Sequence, residues 1–291
     1  MQIRKANGTI EQFDEKKLIK ALSQTGAKID TARDISNYVK DKCYQNYKDN
    51  QPIKTDYIYR LAFKHLKNIS KASALKFSLK RSMLEIGPSG FPFEKFIADI
   101  WRHEGYNAIT GQMVYGKCVS HEVDVVAWRN DELVMVEAKY HSDAGSRTDL
   151  KNALYVKARY DDLRQNTFSI ESLDTKATKG LDSAMSKTLT EGWLITNTYF
   201  SDTAIIYANC NNLKLMSFDY PIDGSLQDKI IGYSLYPITI LTTLTKEEKV
   251  RLIEKDIILC KTLHSQNHVL KELGVDKDRI YDILEEISTL L

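Results

Sequence analysis

The sequence predicts an α/β protein, α+β overall, in which a small hairpin-plus-helices domain precedes an α/β sandwich and a short helical extension. Apolar residues alternate with period two over residues 121–140, which is typical of paired strands. They recur every three to four residues over 14–86 and 245–290, which is typical of amphipathic helices. The breaker cluster Gly87-Pro88-Ser89-Gly90 separates the first two regions. We therefore predict domains at 1–87 and 88–220, and an extension at 221–291.

Composition sets the broad class of the protein. Hydrophobic residues make up 43% of the chain, charged residues 27%, and the net charge is +2. These values describe an ordinary globular protein, so any surface that binds nucleic acid must be locally basic. The four cysteines are scattered without a C-x-x-C pair, and neither a secretory signal nor an apolar run of about 18 residues occurs. We expect a reduced, cytoplasmic protein with no membrane segment.

The first domain begins with a predicted hairpin over residues 2–13, whose Asn7-Gly8 dipeptide indicates a tight type I′ turn. Asp14 is predicted to cap the first helix, and Thr55 to cap the third. The second and fourth helices are expected at about 31–47 and 71–86.

The second domain begins with a helix over Phe91–His103, with Pro92 in its first turn. A strand at about 107–115 then leads into the alternating stretch. The later elements follow from their periodicity: helices at about 149–164, 177–190 and 201–211, and strands at Gly192–Thr196 and Leu213–Phe218.

The alternating stretch predicts two strands, His121–Trp128 and Leu133–Tyr140, joined by a polar turn. If Trp128 pairs with Leu133, Asp124 lies opposite Glu137 and Glu122 lies opposite Lys139. One face is then apolar and is expected to be core: Val123, Val125, Ala127, Val134, Val136 and Ala138.

The other face carries the candidate chemistry. Carboxylates directly across a strand pair lie about 5 Å apart and repel each other, so a cation between Asp124 and Glu137 removes the conflict. Oxygen ligands suit Mg²⁺ or Mn²⁺. Lys139 then lies where it can hold an attacking water or a phosphate. Glu94, in the first turn of its helix, is either catalytic or a carboxylate that interacts favourably with the helix dipole. The alternative for the hairpin is a solvated face with a Glu122–Lys139 pair.

These residues resemble the PD-(D/E)xK nuclease motif, with Asp124 followed by Glu137-Ala138-Lys139, and Val123 in place of the usual proline. Flanking segments resemble the Mrr-like branch of restriction endonucleases: Gly90-Phe91-Pro92-Phe93-Glu94, the run from Gly192 to Asn197, Phe200 and Ala204. The resemblance covers about residues 88–220. It implies a DNA substrate, a divalent metal on Asp124 and Glu137, and catalytic roles for Lys139 and Glu94.

The first domain resembles the ATP-cone, a regulatory nucleotide-binding module. The matching residues are Lys5-Ala6-Asn7-Gly8, Glu11, Phe13-Asp14, Lys17-Leu18 and Ile53-Lys54-Thr55, with Ala6 where arginine is usual. The resemblance implies ATP or dATP as an effector, with Lys5 and Lys17 on the phosphates and Glu11, Asp14 and Thr55 lining the pocket. The alternative is that both lysines are merely solvated. No G-x-x-x-x-G-K-[ST] loop occurs, which argues against a P-loop ATPase cycle.

Two features are left open by the sequence. The helix at 149–164 carries Lys151, Lys157, Arg159 and Arg164, which either contact DNA phosphates or form a salt-bridged solvated face. In the extension, Thr245-x-x-Glu248 predicts a capping box before a helix with a stripe of Val250, Ile253, Ile257 and Cys260, and a last helix is expected at 276–290. These helices either pack on the second domain or form a homodimer surface.

The expected function is a metal-dependent DNA endonuclease with a nucleotide-sensing N-terminal domain. The alternative, from a different class, is a non-cleaving, nucleotide-responsive DNA-binding or regulatory protein. None of Asp124, Glu137 and Lys139 has been replaced by a residue that would inactivate the site, which favours the nuclease.

Overall fold

A computed structural model describes residues 1–47, 51–87, 89–169 and 186–291. The chain divides into two compact units. The first unit contains Met1–Glu85, Asp143–Gly145 and Tyr236–Leu291, and the second contains Ile86–Ser142 and Ser146–Leu235. Each unit combines helices with a sheet, as the predicted α/β class requires.

The N-terminal part of the first unit is a small sheet covered by helices. Its strands are β1 (Gln2–Arg4), β2 (Ile10–Gln12) and β3 (Ile53–Lys54), in the order β2-β1-β3. Its helices are α1 (Glu15–Ser23), α2 (Ile29–Asn46), α3 (Thr55–Ile69), α4 (Lys71–Phe77) and α5 (Leu79–Leu84). An apolar core of residues from the sheet and from α1 to α4 lies between these elements.

The hairpin turn differs from the type I′ prediction. The N–H of Gly8 donates to the Lys5 carbonyl at 3.0 Å, and the Lys5 N–H donates to the Thr9 carbonyl at 2.9 Å. Only Gly8 has a positive φ, of 83°, whereas a type I′ turn needs two such residues. The Asn7 side chain instead accepts a hydrogen bond from the Thr9 N–H at 3.0 Å, which stabilises a longer loop.

Helix ends in this unit follow the predictions in part. Asp14 is the N-cap of α1, and its side chain accepts from the Lys16 N–H at 2.9 Å. Thr55 is not a cap: Lys54 occupies that position, and α3 begins at Thr55. The helix predicted at 71–86 is two helices, since the Ser78 hydroxyl donates to the Leu75 carbonyl where α4 ends.

The second unit is built on a mixed five-stranded sheet. The strands of the whole unit, five of which form this sheet, are β4 (Asn107–Tyr115), β5 (Ser120–Arg129), β6 (Glu132–Lys139), β7 (Arg147–Thr148), β8 (Phe168–Ser169), β9 (Ser186–Lys187), β10 (Glu191–Thr196), β11 (Tyr199–Phe200) and β12 (Lys214–Met216). Its helices are α6 (Phe91–His103), α7 (Leu150–Leu163), α8 (Asp202–Cys210) and α9 (Leu226–Gly232). The main sheet has the order β12-β10-β6-β5-β4, in which β6, β10 and β12 are parallel and β4 and β5 run antiparallel to their neighbours.

Helices cover both faces of this sheet. Helix α6 contacts β4, β5 and β6, and Trp101 on α6 meets Trp193 on β10 with ring centroids 5.6 Å apart. Buried residues of α7 and α8 pack against Val126, Met135 and Leu194 of the strands. Because both faces are buried, the central strands are nearly continuous in apolar residues.

The predicted pairing of the central hairpin is confirmed, with Trp128 opposite Leu133. The turn is shorter than expected, because Arg129 and Glu132 are also paired and only Asn130 and Asp131 lie between them. The helix predicted at 177–190 lies mainly outside the described residues, and Ser186–Lys187, at its described end, is a strand.

The C-terminal segment belongs to the first unit. It contains a 3-10 turn (Ile238–Ile240) and helices α10 (Lys246–Glu254), α11 (Cys260–Ser265), α12 (His268–Glu272) and α13 (Lys277–Ser288). The Thr239 hydroxyl donates to the Ser82 carbonyl at 2.8 Å, which connects the 3-10 turn to α5. Residues 221–235, predicted as part of the extension, belong to the second unit.

The capping box that opens α10 is confirmed, with Thr245 and Glu248 hydrogen-bonded reciprocally. The predicted stripe is wrong, because α10 ends at Glu254, Val250 is exposed, and Leu252 is the residue that α10 buries. In the described ranges, none of the helices has the length and apolar character needed to cross a membrane.

Candidate active site

The candidate site lies where the ladder between β5 and β6 stops. The last paired residues are Val125 and Val136, one residue before Asp124 and Glu137. Instead of a backbone carbonyl, the Asp124 side chain accepts the Ala138 N–H, with an Oδ2–N distance of 2.7 Å. The register therefore brings the two carboxylates to the same end of the hairpin, as the sequence predicts.

The strand changes its alternation at Asp124. Val123 was predicted on the same face as Val125, but it clusters with Val126 and Met135, which line the same small apolar cavity. Gly111, which the β4–β5 register sets opposite Asp124, has a φ of +63°. This local departure from regular strand geometry explains why Val123 and Val125 do not share a face, as strict period-two alternation would require.

Two further carboxylates approach from neighbouring segments. Glu94 projects from the first turn of α6, and Glu122 precedes Asp124 on β5 by two residues. Burial, followed by the negative charges of Asp124, Glu122 and Glu137, raises the pKa of Glu94 to about 7. Burial also raises the pKa of Asp124, against the opposing effect of its hydrogen bond from Ala138. The site is thus a partly buried acidic cluster, of which Glu122 is a member that the motif did not assign.

Lys139 lies at the exposed end of β6. Its positive charge acts on both Asp124 and Glu137, in the direction that lowers each pKa. Lys139 makes no ion pair with any residue in the described ranges, so the predicted surface pair with Glu122 is not formed there. An ammonium near the two carboxylates and open to solvent can reach a substrate oxygen.

Arg159 is the site residue that the sequence did not single out. It lies on α7, and its Nη1 donates to Oε2 of Glu137. Burial and the charge of Asp124 nevertheless raise the pKa of Glu137 to about 7, against the opposing effect of Arg159. Arg159 follows Glu137 by 22 positions, in a segment with other basic residues. The sequence therefore contains no pattern that distinguishes Arg159 as a site residue from Lys151 or Arg164.

Lys157 of α7 and the loop that follows β6 are engaged locally. Lys157 pairs with Asp161 at 2.5 Å, which supports the salt-bridged alternative for that residue. His141 Nε2 lies 3.0 Å from the Thr148 hydroxyl. The buried Asn197 side chain holds the His141 backbone at both polar atoms, with N–O distances of 2.8 and 2.7 Å. This pair of hydrogen bonds fixes the chain directly after Lys139 and Tyr140.

In the first unit, the residues predicted to bind nucleotide are partly brought together. Glu11 pairs with Lys5 at 2.7 Å and approaches Lys17 at 3.6 Å. Glu11, Asp14 and Lys17 line an open surface depression of about 710 Å³. Thr55 is not among the residues that line it, although it begins α3 directly after β3.

Comparison with known proteins gives three family matches. A model of the ATP cone domain matches residues 1–83, a restriction endonuclease model matches 88–220, and an AF1548-like, C-terminal model matches 236–291. An uncharacterized protein of Archaeoglobus fulgidus is 30% identical over 196 residues, which are 67% of this chain and 99% of that protein. The chain belongs to the same family as this archaeal protein.

A solved structure supports this assignment. The crystal structure of AF1548, a protein of unknown function, has a TM-score of 0.53 and 28% sequence identity, and covers 69% of this chain and 98% of its own. This AF1548-like protein therefore carries an N-terminal ATP-cone domain followed by a restriction-endonuclease domain, as the sequence predicts.

The donors of the AF1548-like site fit a hard divalent cation. Asp124 and Glu137 each have one oxygen held by a protein donor. The second oxygen of each accepts no hydrogen bond within the described part of the chain. The described residues contain no group of three or more His, Cys, Asp or Glu side chains arranged for a metal. Two carboxylates with free oxygens still match Mg²⁺, which typically takes one or two carboxylates and completes its shell with waters and phosphate.

Proposed function

We propose that this protein is a divalent-metal-dependent endonuclease that hydrolyses phosphodiester bonds in DNA. The observation that carries the proposal is the placement of Asp124 and Glu137 at the same end of the hairpin, each with one free oxygen. Burial raises the pKa of both carboxylates, and the charge of Asp124 raises that of Glu137 further, so the ionised pair is unfavourable unless a positive charge compensates it. The restriction-endonuclease match supports DNA as the substrate.

Asp124 and Glu137 would hold the metal, Mg²⁺ or Mn²⁺. When bound, such a cation polarises the scissile phosphate and lowers the pKa of the attacking water. Lys139 orients that water or stabilises the charge that develops on the phosphate oxygens. Glu94, whose pKa of about 7 lets it carry or release a proton near neutral pH, hydrogen-bonds a water at the site.

The test is plasmid nicking by the full-length protein and three variants, with Mg²⁺ or with EDTA. Asp124→Asn and Glu137→Gln should abolish cleavage and weaken metal binding, because each removes a ligand charge. Lys139→Ala should abolish cleavage but leave metal binding largely intact, because the ammonium is not a ligand. Cleavage by all three variants at the wild-type rate would contradict the nuclease assignment. Methylated and branched DNA should be included, to identify the preferred substrate.

We propose further that the ATP-cone domain binds ATP or dATP through Lys5 and Lys17 and regulates the nuclease. Both lysines lie beside Glu11, so nucleotide phosphates would compete with that carboxylate for them. ATP affinity should fall in Lys5→Ala and Lys17→Ala, and should rise in Glu11→Gln, which frees both ammonium groups. Lys28→Ala, on an exposed lysine that caps α2, is the matched control. Unchanged affinity in the Lys5→Ala/Lys17→Ala double variant would remove the assignment.

One observation favours the second candidate, a non-cleaving DNA-binding or regulatory protein. Arg159 already neutralises Glu137 within the protein, which lessens the need for a metal. Electrophoretic mobility shift with EDTA present separates the two. The second candidate requires nucleotide-dependent DNA binding that Asp124→Asn and Glu137→Gln leave unchanged, together with no cleavage in any metal.

A further inference from the structure

Arg159 is more deeply buried than its charge would normally allow. The residue is 6% exposed, and the side chains of Arg159 and Glu137 are 8% and 19% exposed. Arginine is almost never fully buried without a specific partner. Glu137 is that partner, and it is also one of the two residues to which we assign the metal.

Two contacts hold the guanidinium in place. Nη1 donates to Oε2 of Glu137, and the guanidinium carbon lies 5.3 Å from the ring centroid of Tyr155, one helical turn earlier. Tyr155 is 60% exposed, so the ring lies between Arg159 and solvent rather than in the core. The planar group is therefore fixed on two sides, and Glu137 is restricted to the rotamers that meet it.

Docking of α7 does not explain the buried charge. The helix already packs through Ala153, Val156, Tyr160 and Leu163 in the apolar cluster of the nuclease domain. A buried salt bridge usually contributes little net stability compared with apolar residues of similar volume. The Nε of Arg159 is also buried and has no hydrogen-bond partner among the described residues. A buried donor without an acceptor suits a site that receives another oxygen, from water or from a phosphate.

We propose that Arg159 is a positioning residue that holds Oε2 of Glu137 and thereby presents Oε1 to the divalent cation. The inference rests on the proposed metal-dependent nuclease. It predicts that the loss of metal affinity on removing Arg159 depends on Glu137. Residues that fix a ligand in place typically change metal affinity by about 10–100-fold when they are removed.

The test is titration of Mn²⁺ into metal-free, full-length protein at one fixed pH, with free Mn²⁺ measured by electron paramagnetic resonance. Arg159→Met should weaken the Kd by about tenfold or more, and Arg159→Lys should recover most of the affinity. Arg164→Met, at the C-cap of the same helix, is the matched control, because Arg164 is 54% exposed, approaches Asp161 at 3.8 Å and lies over the Tyr160 ring, away from Glu137. Its Kd should equal that of the wild type.

The Glu137→Gln background distinguishes positioning from a general structural effect. If Arg159 acts through Glu137, Arg159→Met should cause no further loss of Mn²⁺ affinity in that background. The double variant also removes both charges of the buried pair, so it keeps the test usable where Arg159→Met alone does not fold. A further loss similar to that in the wild-type background would overturn the proposal.

An Arg159→Met protein that binds Mn²⁺ as tightly as the wild type, or more tightly, would also overturn it. Tighter binding would mean that the guanidinium competes with the cation. If Glu137→Gln weakens Mn²⁺ binding while Arg159→Met does not, this inference fails and the proposed function stands. If the wild type binds no Mn²⁺ and cuts no DNA, the proposed function fails first.

Discussion

At the scale of single residues, the two central carboxylates have different partners. Asp124 accepts a backbone N–H, whereas Glu137 accepts from the buried Arg159 guanidinium. An amide can replace the carboxylate of Asp124 and still accept that N–H. In Glu137→Gln, the amide leaves Arg159 as an uncompensated buried charge. The two variants should therefore change stability in opposite directions.

We predict that Asp124→Asn raises the free energy of unfolding of the metal-free protein by about 1 kcal/mol at pH 8, because it removes a buried negative charge. Glu137→Gln should lower it by about 1 kcal/mol or more. Urea unfolding in EDTA measures both. Asp30→Asn, which alters an exposed pair with Arg33, is the control and should change little. Shifts of the same sign for both variants would contradict this account.

The raised pKa of Glu94 makes the stability of the metal-free protein depend on pH. Because its pKa is about 7 in the folded protein, against an ordinary value of 4.5, folding favours the protonated form. This contribution to stability is fully present below pH 4.5 and is lost as pH rises through about 7. Glu94→Gln should therefore lose less stability than the wild type between pH 5 and 8.

The measurement is the melting temperature in EDTA at half-unit pH intervals. The difference between wild type and Glu94→Gln isolates this group from the other titrating residues. Glu85→Gln, at an exposed residue outside the acidic cluster, is the comparison. A difference between wild type and Glu94→Gln that stays constant from pH 5 to 8 would exclude the raised pKa.

At the scale of elements, the position of α7 on the sheet determines whether Arg159 reaches Glu137. The helix packs closely on β10, where a Cβ added at Gly192 would lie 2.8 Å from the Tyr160 ring. The missing side chain of Gly192 thus sets the distance between helix and strand. Tyr160 also donates a hydrogen bond to the Thr190 carbonyl at 3.1 Å, which limits its freedom to move away.

We predict that Gly192→Ala destabilises the nuclease domain by about 1–3 kcal/mol, because it overpacks this contact. Gly232→Ala is the matched control, since it has no neighbouring atom within 4 Å and lies at the end of a helix, α9. It should be neutral or slightly stabilising. Chemical denaturation followed by tryptophan fluorescence reports the change. Equal stability of the two variants would mean that α7 can move away without loss.

At the scale of the whole molecule, the chain returns to its first domain after completing the nuclease. Glu286 on α13 is 8% exposed and accepts from the backbone N–H groups of Thr242 and Thr243, at 3.0 to 3.1 Å, and from both hydroxyls. The same Thr242 hydroxyl accepts from Lys67 of α3 at 3.3 Å. The C-terminal helices and the first 85 residues therefore form one hydrogen-bonded unit.

We predict that Glu286→Ala lowers the stability of this unit by about 2–4 kcal/mol, because it leaves two backbone donors without their acceptor. Hydrogen exchange followed by mass spectrometry should show reduced protection in both α13 and α3, while the sheet of the nuclease domain is unchanged. The exposed neighbour Glu285, changed to Ala, is the control. Loss of protection confined to residues 236–291 would show that the two parts unfold separately.

The sequence alone determined the local features of this protein. Period-two alternation and one turn were sufficient to pair Trp128 with Leu133, because register along a hairpin propagates residue by residue. This register brings Asp124 and Glu137 to the same end of the hairpin, although the ladder stops one residue before them. Side-chain caps such as Asp14 and Thr245 were also predictable, since they depend on only three or four neighbouring residues.

Only the tertiary structure decided which distant segments meet. Arg159 reaches Glu137, and Glu94 approaches the same carboxylates, because α7 and α6 pack on the sheet at particular heights and rotations. The C-terminal helices join the first unit for the same reason. A stripe of apolar residues specifies that a helix will be buried, but many partners can cover it. The partner is selected by the packing of the complete core, which no local pattern encodes.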